Sequence, residues 1–235
     1  MYSILKISRP KRNLVTPALF QRLVIMLFPH LTKKDSVSAK GKSADEQEKE
    51  INGLLYPCLF AIFILMENIL KIINEMEEQG LIGAYAISGG IAVIFYVEPI
   101  LTYDLDIFFL PTEDEKPLLS LSPIYDYLKR KGYHADKEHI IINQTPVQFI
   151  PVYNDLIQEA VKNAKATKYK KTKTHVLKAE YLVAIMLQTF RPKDKERIIK
   201  LLDEAKVSMQ YLKEILKRHN LLEKFNHFLK VYYEK

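Results

Sequence analysis

The spacing of hydrophobic residues changes along the chain and shows where the folded part begins. Residues 33–50 are polar and have almost nothing to bury, which is typical of a linker or a disordered segment. From residue 67 onward, apolar residues recur at helical spacing as far as residue 79, and Gly80 ends this predicted helix. The change in composition predicts that residues 1–65 are a doubtful extension and that the native protein starts at Met66, which N-terminal sequencing of the native protein tests.

The remaining elements follow from apolar periodicity and from turn residues at the ends of each run. After the helix at 67–79, the pattern predicts strands at 84–88, 104–110, 139–143 and 147–152, helices at 90–97, 123–131 and 154–166, a basic connector at 165–174, and helices at 177–190, 195–205, 209–218 (N-cap Ser208) and 221–233. Four helices with short connections are typical of a bundle. The predicted fold class is therefore α/β (α+β), with a core of strands and helices over 66–166 and a helical domain over 167–235.

Charge is distributed unevenly over the two predicted domains. The net charge is +7, but residues 162–235 carry 19 Lys and Arg against 8 Asp and Glu, and the preceding residues have an excess of acids. A basic half beside an acidic half suits a polyanionic partner such as RNA. The alternative is that Lys-rich helices are simply solvated.

Composition also bears on the compartment. The single cysteine, Cys58, excludes an internal disulfide, as is common in a reducing cytoplasm. No apolar run reaches the ~20 residues that a membrane-spanning helix requires, and the start of the chain lacks the apolar core of a signal peptide. A cytoplasmic protein without a membrane partner is expected.

One segment carries a pattern with chemical meaning. Apolar residues lead into Ser88-Gly89-Gly90, and thirteen residues separate Gly90 from the triplet Asp104-Leu105-Asp106. The two aspartates are two residues apart in a predicted strand, so their side chains share one face. Adjacent carboxylates repel each other, and a divalent cation such as Mg²⁺ relieves that repulsion. The two glycines allow backbone to approach a phosphate group closely. The alternative is an exposed edge strand with two solvated aspartates and an ordinary turn.

Together these residues resemble the signature of the nucleotidyltransferase superfamily, in which a Gly-Gly or Gly-Ser turn precedes Asp-x-Asp. Farther on, residues 177–182 (LKAEYL) and 191–195 (RPKDK) resemble the AbiEii-like nucleotidyltransferases, which include toxins of type IV toxin–antitoxin pairs. The resemblance covers residues 66–235. It implies a mixed-sheet core with a helical domain, and Mg²⁺-dependent transfer of a nucleoside monophosphate from NTP to an acceptor, which for some members is tRNA.

The resemblance also implies roles for individual residues. Asp104 and Asp106 match the metal-binding pair, and Ser88, Gly89 and Gly90 match the phosphate-binding turn. Lys178 matches a lysine expected to reach the triphosphate, and Asp194 matches the family's downstream acidic residue.

Two of these residues also have simpler interpretations. Lys178 is explained equally by a solvated position in the first turn of a helix. Asp194 is explained by an N-cap for a helix that begins at Lys195. His134, His139 and His219 lack metal-ligand spacing and are interpreted as structural or surface residues.

The sequence departs from the family pattern at two places. Many members have a third carboxylate on a later strand, where this chain has Gln148, a poor general base. Asp155 lies beyond that strand and is a weaker candidate. Members also often have an arginine shortly before the first aspartate, where this chain has Ile100 and Leu101.

Two functions therefore remain open at this point. The first is a nucleotidyltransferase that acts on RNA, tRNA or a protein hydroxyl, with a cognate antitoxin as a further partner. The second is a nucleotide- or RNA-binding module that kept the fold without turnover.

Overall fold

The computed structural model describes residues 66–98, 100, 102, 104–112 and 121–233. The predictions made for residues 1–65 lie outside this part of the chain. Within it, seven strands form one sheet. They are β1 (Tyr85–Ile87), β2 (Leu105–Phe109), β3 (His134–Asp136), β4 (His139–Ile142), β5 (Thr145–Pro151), β6 (Lys165–Tyr169) and β7 (Thr172–Val176).

Eight helices accompany the sheet in the described part of the chain. They are α1 (66–78), α2 (Gly89–Ile94), α3 (Ser122–Arg130), α4 (Asp155–Lys162), α5 (Ala179–Thr189), α6 (Pro192–Glu204), α7 (Met209–Arg218) and α8 (Leu222–Tyr232). In these residues we find no helix with the length and apolar character to cross a membrane.

The sheet is mixed, with strand order β3-β4-β5-β2-β1-β7-β6. Strand β2 runs parallel to β5 and antiparallel to β1, and β1 runs parallel to β7. The two central strands are the most apolar, because β1 is entirely buried and four of the five residues of β2 are buried. Strands buried on both faces are nearly continuous in hydrophobicity. The predicted α/β fold with a mixed sheet is confirmed.

The predicted basic connector is wrong, because residues 165–176 form a β-hairpin at one edge of the sheet. On β7, Thr172, Thr174 and Val176 are buried while Lys173 is exposed, which is the period-two pattern of a strand. Buried threonines, which the sequence presents as polar, conceal that alternation. For the same reason α4 ends at Lys162 rather than at residue 166, and the predicted domain boundary at residue 166 falls inside β6.

A second hairpin joins β4 to β5 one residue earlier than the predicted turn. Asn143 and Gln144 both have positive φ angles, +49° and +67°. Two successive residues of this kind close a tight two-residue turn, so β5 starts directly at Thr145 and includes Pro146. The short strand β3, which pairs with β4 at the other edge of the sheet, was not predicted.

The C-terminal helices pack around α5, in which residues 179–187 are all buried. Helix α5 contacts α6 and α7, and it also contacts α2 and α4, so the helical part lies directly against the sheet core. Ser208 caps α7 as predicted, since its hydroxyl accepts a hydrogen bond from the Tyr211 backbone N–H at 3.3 Å. Helix α6 begins at Pro192, three residues before the predicted start.

A charged network attaches α4 to α5 and α7. Glu159 accepts a hydrogen bond from the Tyr181 hydroxyl at 2.8 Å, pairs with His219 at 2.7 Å between Oε2 and Nε2, and forms an ion pair with Arg218. Burial disfavours the charged carboxylate, but these hydrogen bonds outweigh it and hold the pKa of Glu159 at about 2.

We expect this network to make stability sensitive to acid. Because the pKa of Glu159 is lower in the folded state, its contribution is complete above about pH 4.5 and is lost as the pH falls toward 2. Glu159→Gln should therefore lower the free energy of unfolding at pH 7 by about 1–3 kcal/mol and flatten its decrease below pH 4.5. Urea unfolding at several pH values measures both effects. Glu196→Gln, which changes an exposed residue of α6, is the control. If both variants have the same free energy of unfolding at every pH, the Glu159 network is not the source of the acid sensitivity.

Candidate active site

The Gly-Gly turn and the aspartate strand lie against each other. The Ser88 backbone N–H donates a hydrogen bond to the Asp106 carbonyl at 2.8 Å. Gly89 has a φ of +59°, and a Cβ added to it would lie 1.7 Å from Oδ2 of Asp106. Only glycine fits both the left-handed conformation and the space. The two halves of the sequence pattern therefore form one structural unit.

Gly90 leaves room for two other side chains. A Cβ at Gly90 would lie 2.4 Å from Oγ1 of Thr102 and 2.9 Å from Nη2 of Arg197. The buried Thr102 hydroxyl in turn donates a hydrogen bond to Oδ1 of Asp104 at 3.1 Å. Gly90 therefore allows an arginine to reach the turn and allows a threonine to orient the first aspartate.

The second aspartate is held in an environment that opposes its charge. Burial, and then the neighbouring charge of Asp104, raise the pKa of Asp106 to about 6, although Lys193, Arg197 and Arg191 act in the opposite direction. The Asp104 side chain is 35 % exposed. A bound cation would favour the ionised form of both carboxylates.

Three basic residues around Asp106 come from the start of α6. Arg191 and Arg197 line a cavity of about 160 Å³ beside the Gly-Gly turn, and Lys193 is exposed one turn before Arg197 on the same helix. A cluster of positive charge next to the aspartates would attract a polyphosphate. The cavity is lined by Ser88, Gly89, Asp106, Phe108, Gln148, Ile150, Tyr153, Leu182, Ile185, Met186, Thr189, Arg191 and Arg197.

Gln148 occupies the position at which a third carboxylate was sought. It is the register partner of Asp106 on the parallel strand β5. The antiparallel register of β4 and β5 then brings His139 beside Gln148. Nε2 of His139 is buried without a hydrogen-bond partner and lies 4.0 Å from Oδ2 of Asp104. His139, interpreted from sequence as structural or surface, is thus a neighbour of the aspartate pair.

Lys178 follows β7 beside the strand that leads into the turn, because the backbone N–H of the preceding Leu177 donates a hydrogen bond to the Ile87 carbonyl at 3.1 Å. It is the N-cap residue of α5, and its ammonium group is 5.4 Å from the centroid of the Tyr211 ring. It does not line the cavity that contains Asp106. In this structure the Lys178 ammonium group contacts the Tyr211 ring rather than the cavity, and its role toward the triphosphate stays a prediction.

Asp194 is fully buried at the third position of α6. It accepts hydrogen bonds from the Thr189 hydroxyl at 2.7 Å and from the Arg191 backbone N–H at 3.0 Å. Its carboxylate also binds the Arg191 side chain through Nε at 2.9 Å and Nη2 at 3.2 Å. Burial opposes its ionisation, but these hydrogen bonds keep the pKa of Asp194 below its usual range. Asp194 is not the N-cap of a helix beginning at Lys195, because the helix starts at Pro192, but it does cap that helix from its third position by accepting the Arg191 backbone N–H. It also positions the Arg191 side chain.

The residues present fit a cation that shares its ligands with a substrate. Among the described residues, no three His, Cys, Asp or Glu side chains come close enough to hold a metal ion alone. Asp104 and Asp106 are nevertheless adjacent, and the unpartnered Nε2 of His139 faces the first of them. Mg²⁺ commonly takes one or two carboxylates and completes its shell with phosphate oxygens and water.

Sequence reasoning missed Arg197, His139 and Tyr153 at this site. The spacing of Lys193 and Arg197 could have revealed one basic face of α6. His139 and Tyr153 had no signal in the sequence, since only the register of the sheet and the shape of the cavity bring them close.

Comparison with known proteins gives only distant similarity. No family model matches the sequence, and no curated protein sequence matches it. Similar solved structures include an antigenic nucleotidyltransferase-like protein from Paracoccidioides brasiliensis (13% identity, TM-score 0.45, covering 69% of this chain and 92% of that one). Another is the antibiotic-resistance factor ANT(2'')-Ia (11% identity, TM-score 0.41, covering 69% of this chain and 97% of that one). At these values neither structure assigns an activity to this chain, and the geometry of the site is what bears on its function.

Proposed function

We propose that this protein is a Mg²⁺-dependent nucleotidyltransferase that moves a nucleoside monophosphate from NTP to an acceptor hydroxyl. The observation that carries the proposal is the contact between Gly89 and the Asp106 carboxylate. The backbone turn can approach a phosphate group, and the carboxylate pair can share a cation. These two features are in direct contact through Gly89 and Asp106. An exposed edge strand with solvated aspartates would not need this arrangement.

The residues divide the work in a simple way. Ser88, Gly89 and Gly90 cradle the β- and γ-phosphates, and Asp104 and Asp106 would hold Mg²⁺, which neutralises phosphate charge and aligns the reacting oxygens. Arg197, next to Gly90, adds positive charge where pyrophosphate leaves. The acceptor oxygen bonds to the α-phosphorus while the bond from that phosphorus to the oxygen shared with the β-phosphate breaks. Pyrophosphate leaves, and the hydroxyl proton passes to water. To contribute as the resemblance implies, Lys178 has to rotate away from Tyr211.

The second candidate is a nucleotide- or RNA-binding module without turnover. Gln148 beside Asp106 favours it, because a neutral amide cannot accept the proton of the attacking hydroxyl. This candidate predicts binding of NTP without transfer.

The acceptor is proposed to be RNA, such as tRNA, or a protein hydroxyl. The basic hairpin formed by β6 and β7 favours a polyanionic acceptor such as RNA, because four lysines are exposed on it: Lys165, Lys168, Lys171 and Lys173. An edge strand rich in lysine also resists pairing with other chains, which is the simpler explanation. A role as the toxin of a toxin–antitoxin pair, with a cognate antitoxin as partner, remains part of the proposal.

If RNA is the acceptor, reversing the charge of lysines on the hairpin should weaken RNA binding without weakening NTP binding. We expect Lys165→Glu, Lys168→Glu and Lys171→Glu together to lower RNA affinity by about tenfold or more near 0.1 M salt, because each lysine that contacts phosphate releases a counterion. NTP affinity should not change. Fluorescence anisotropy with labelled tRNA measures the effect. The matched control reverses Lys206, Lys213 and Lys217, which are exposed in the helical part, and an equal loss in both variants would contradict a specific RNA surface.

The proposed function is tested by incubating the protein with Mg²⁺, total tRNA and each α-labelled NTP in turn. Label in RNA or protein that requires both Asp104 and Asp106, compared with Asp104→Ala and Asp106→Ala, is the expected result. Unchanged transfer in either variant would contradict this mechanism. Bound NTP without any transfer would establish the second candidate.

A further inference from the structure

The mouth of the cavity contains an aromatic ring that the fold does not use. Tyr153 follows β5 and is 60% exposed, the largest value among the exposed large hydrophobic side chains in the described residues. It also lines the cavity together with Asp106 and Arg191, unlike the other exposed members of that set. Its hydroxyl makes no hydrogen bond with the described residues. A ligand in the cavity that covers this ring would gain free energy from the burial of its apolar surface.

Arg191, which also lines this cavity, is held in a fixed orientation. Asp194 accepts hydrogen bonds from its Nε and Nη2, and the Thr189 hydroxyl donates a hydrogen bond to Oδ2 of the same carboxylate. The preceding residue, Phe190, ends α5 in a left-handed conformation with a φ of +53°. Yet the Arg191 side chain remains 57% exposed. A guanidinium whose edge is bound by a carboxylate still has its flat face free for stacking.

We propose that Tyr153 and Arg191 form a stacking site for the nucleobase of the bound NTP; the inference rests on the proposed function and adds the part of the site that binds the base. The aspartates, the glycine turn and Arg197 account for phosphates and cation but offer nothing to a flat ring. A tyrosine ring and a guanidinium plane bind the faces of nucleobases through stacking and cation–π attraction. The apolar part of the cavity wall, which includes Phe108, Ile150 and Met186, suits an aromatic ligand.

The alternative is that Tyr153 is a solitary surface residue. Exposed aromatic residues are common singly, so its exposure alone does not decide the matter. What separates Tyr153 from them is its position on the wall that also contains Asp106 and the immobilised Arg191. A stacking site predicts that removing the Tyr153 ring weakens the binding of ligands that have a base and does not weaken the binding of tripolyphosphate. A surface residue predicts no loss for either kind of ligand.

The test compares ligands with and without a base. Binding of ATP, GTP, CTP and UTP, and of tripolyphosphate, is measured by calorimetry in Mg²⁺ with the wild type, Tyr153→Ala and Tyr153→Phe. We expect Tyr153→Ala to weaken at least one NTP by about tenfold or more, to leave tripolyphosphate unchanged, and Tyr153→Phe to stay within about threefold of the wild type. Arg191→Lys, which keeps the charge and loses the plane, should weaken NTP more than tripolyphosphate.

The outcomes separate the two proposals. If the wild type binds NTP and Tyr153→Ala binds every NTP as tightly, the stacking site is wrong and the proposed function stands. An equal loss of NTP and tripolyphosphate in Tyr153→Ala also overturns it, because the ring would then act on the phosphates. If the wild type binds neither kind of ligand, the proposed function and the stacking site both fail.

Discussion

Asp106→Asn is expected to abolish nucleotidyl transfer and, at the same time, to stabilise the free protein. Activity should fall by about 10³-fold or more, because an amide does not replace a charged metal ligand in charge stabilisation of the transition state. The free protein, in contrast, keeps Asp106 in surroundings that raise its pKa to about 6. An amide of nearly the same shape has no charge to be destabilised there.

The sign of the stability effect follows from the direction of that shift. The unfolded chain releases this proton near pH 4 and the folded chain near pH 6, so the charge of Asp106 lowers wild-type stability as the pH rises between these values. Above pH 6 we expect Asp106→Asn to unfold with a free energy about 1–3 kcal/mol higher than the wild type, and below pH 4 the difference should disappear. Urea unfolding without divalent cations measures it.

Asp155→Asn is the control for Asp106→Asn. Asp155 is exposed at the start of α4 and does not line the cavity, so this variant should keep transfer. A loss of transfer in Asp155→Asn would show that the third acid lies there after all. An Asp106→Asn protein that is both active and no more stable than the wild type would contradict the burial of a metal-binding carboxylate.

Gly89→Ala is expected to damage the site and the fold together. The added Cβ would lie 1.7 Å from Oδ2 of Asp106, in a backbone conformation with a φ of +59°. Conformational strain and steric overlap should together cost about 3 kcal/mol or more. Even if the turn yields, a displacement of about 1 Å at reacting groups lowers activity by about 10²-fold. Thermal unfolding and the transfer assay measure the two consequences.

Gly80→Ala is the control that introduces backbone strain without a close contact. Gly80 also has a positive φ, +69°, but nothing lies within 4 Å of a Cβ added to it. This control should cost only about 1 kcal/mol and should leave activity intact. If Gly89→Ala behaves like Gly80→Ala in both measurements, the close contact between the turn and Asp106 is not part of the site.

The parts of this site that sequence could predict are those encoded by local pattern. Ser88-Gly89-Gly90 and Asp104-Leu105-Asp106 each have a conformation set by a few neighbouring residues. The apolar run before the turn places it at the end of β1, and the apolar run after the aspartates places them at the start of β2. The α/β fold class follows from the same periodicity, whereas the mixed sheet was expected only from the family resemblance. Gln148 could be located because it lies on a strand with a clear apolar alternation.

The parts that sequence could not predict depend on long-range pairing. In the sequence, the hairpin of β6 and β7 looks like a solvated connector. In the folded chain Thr172 and Thr174 are buried beside α1 and β1, and the Tyr85 hydroxyl donates a hydrogen bond to Oγ1 of Thr174 at 3.2 Å. Arg197 approaches Gly90 only because α6 folds back over the turn. Asp194 was expected to cap the next helix or to act in catalysis, and its bonds to Thr189 and Arg191 exist only in the folded chain.

The most direct test of the proposed chemistry compares two positions of the label in one NTP. The protein, Mg²⁺ and acceptor RNA are incubated with NTP labelled at the α-phosphate or at the γ-phosphate, beside Asp104→Ala. We predict label in the acceptor from the α-phosphate only, label in released pyrophosphate from the γ-phosphate only, and neither with Asp104→Ala. Transfer of the γ-label to the acceptor would contradict the account, because the site would then catalyse phosphoryl rather than nucleotidyl transfer.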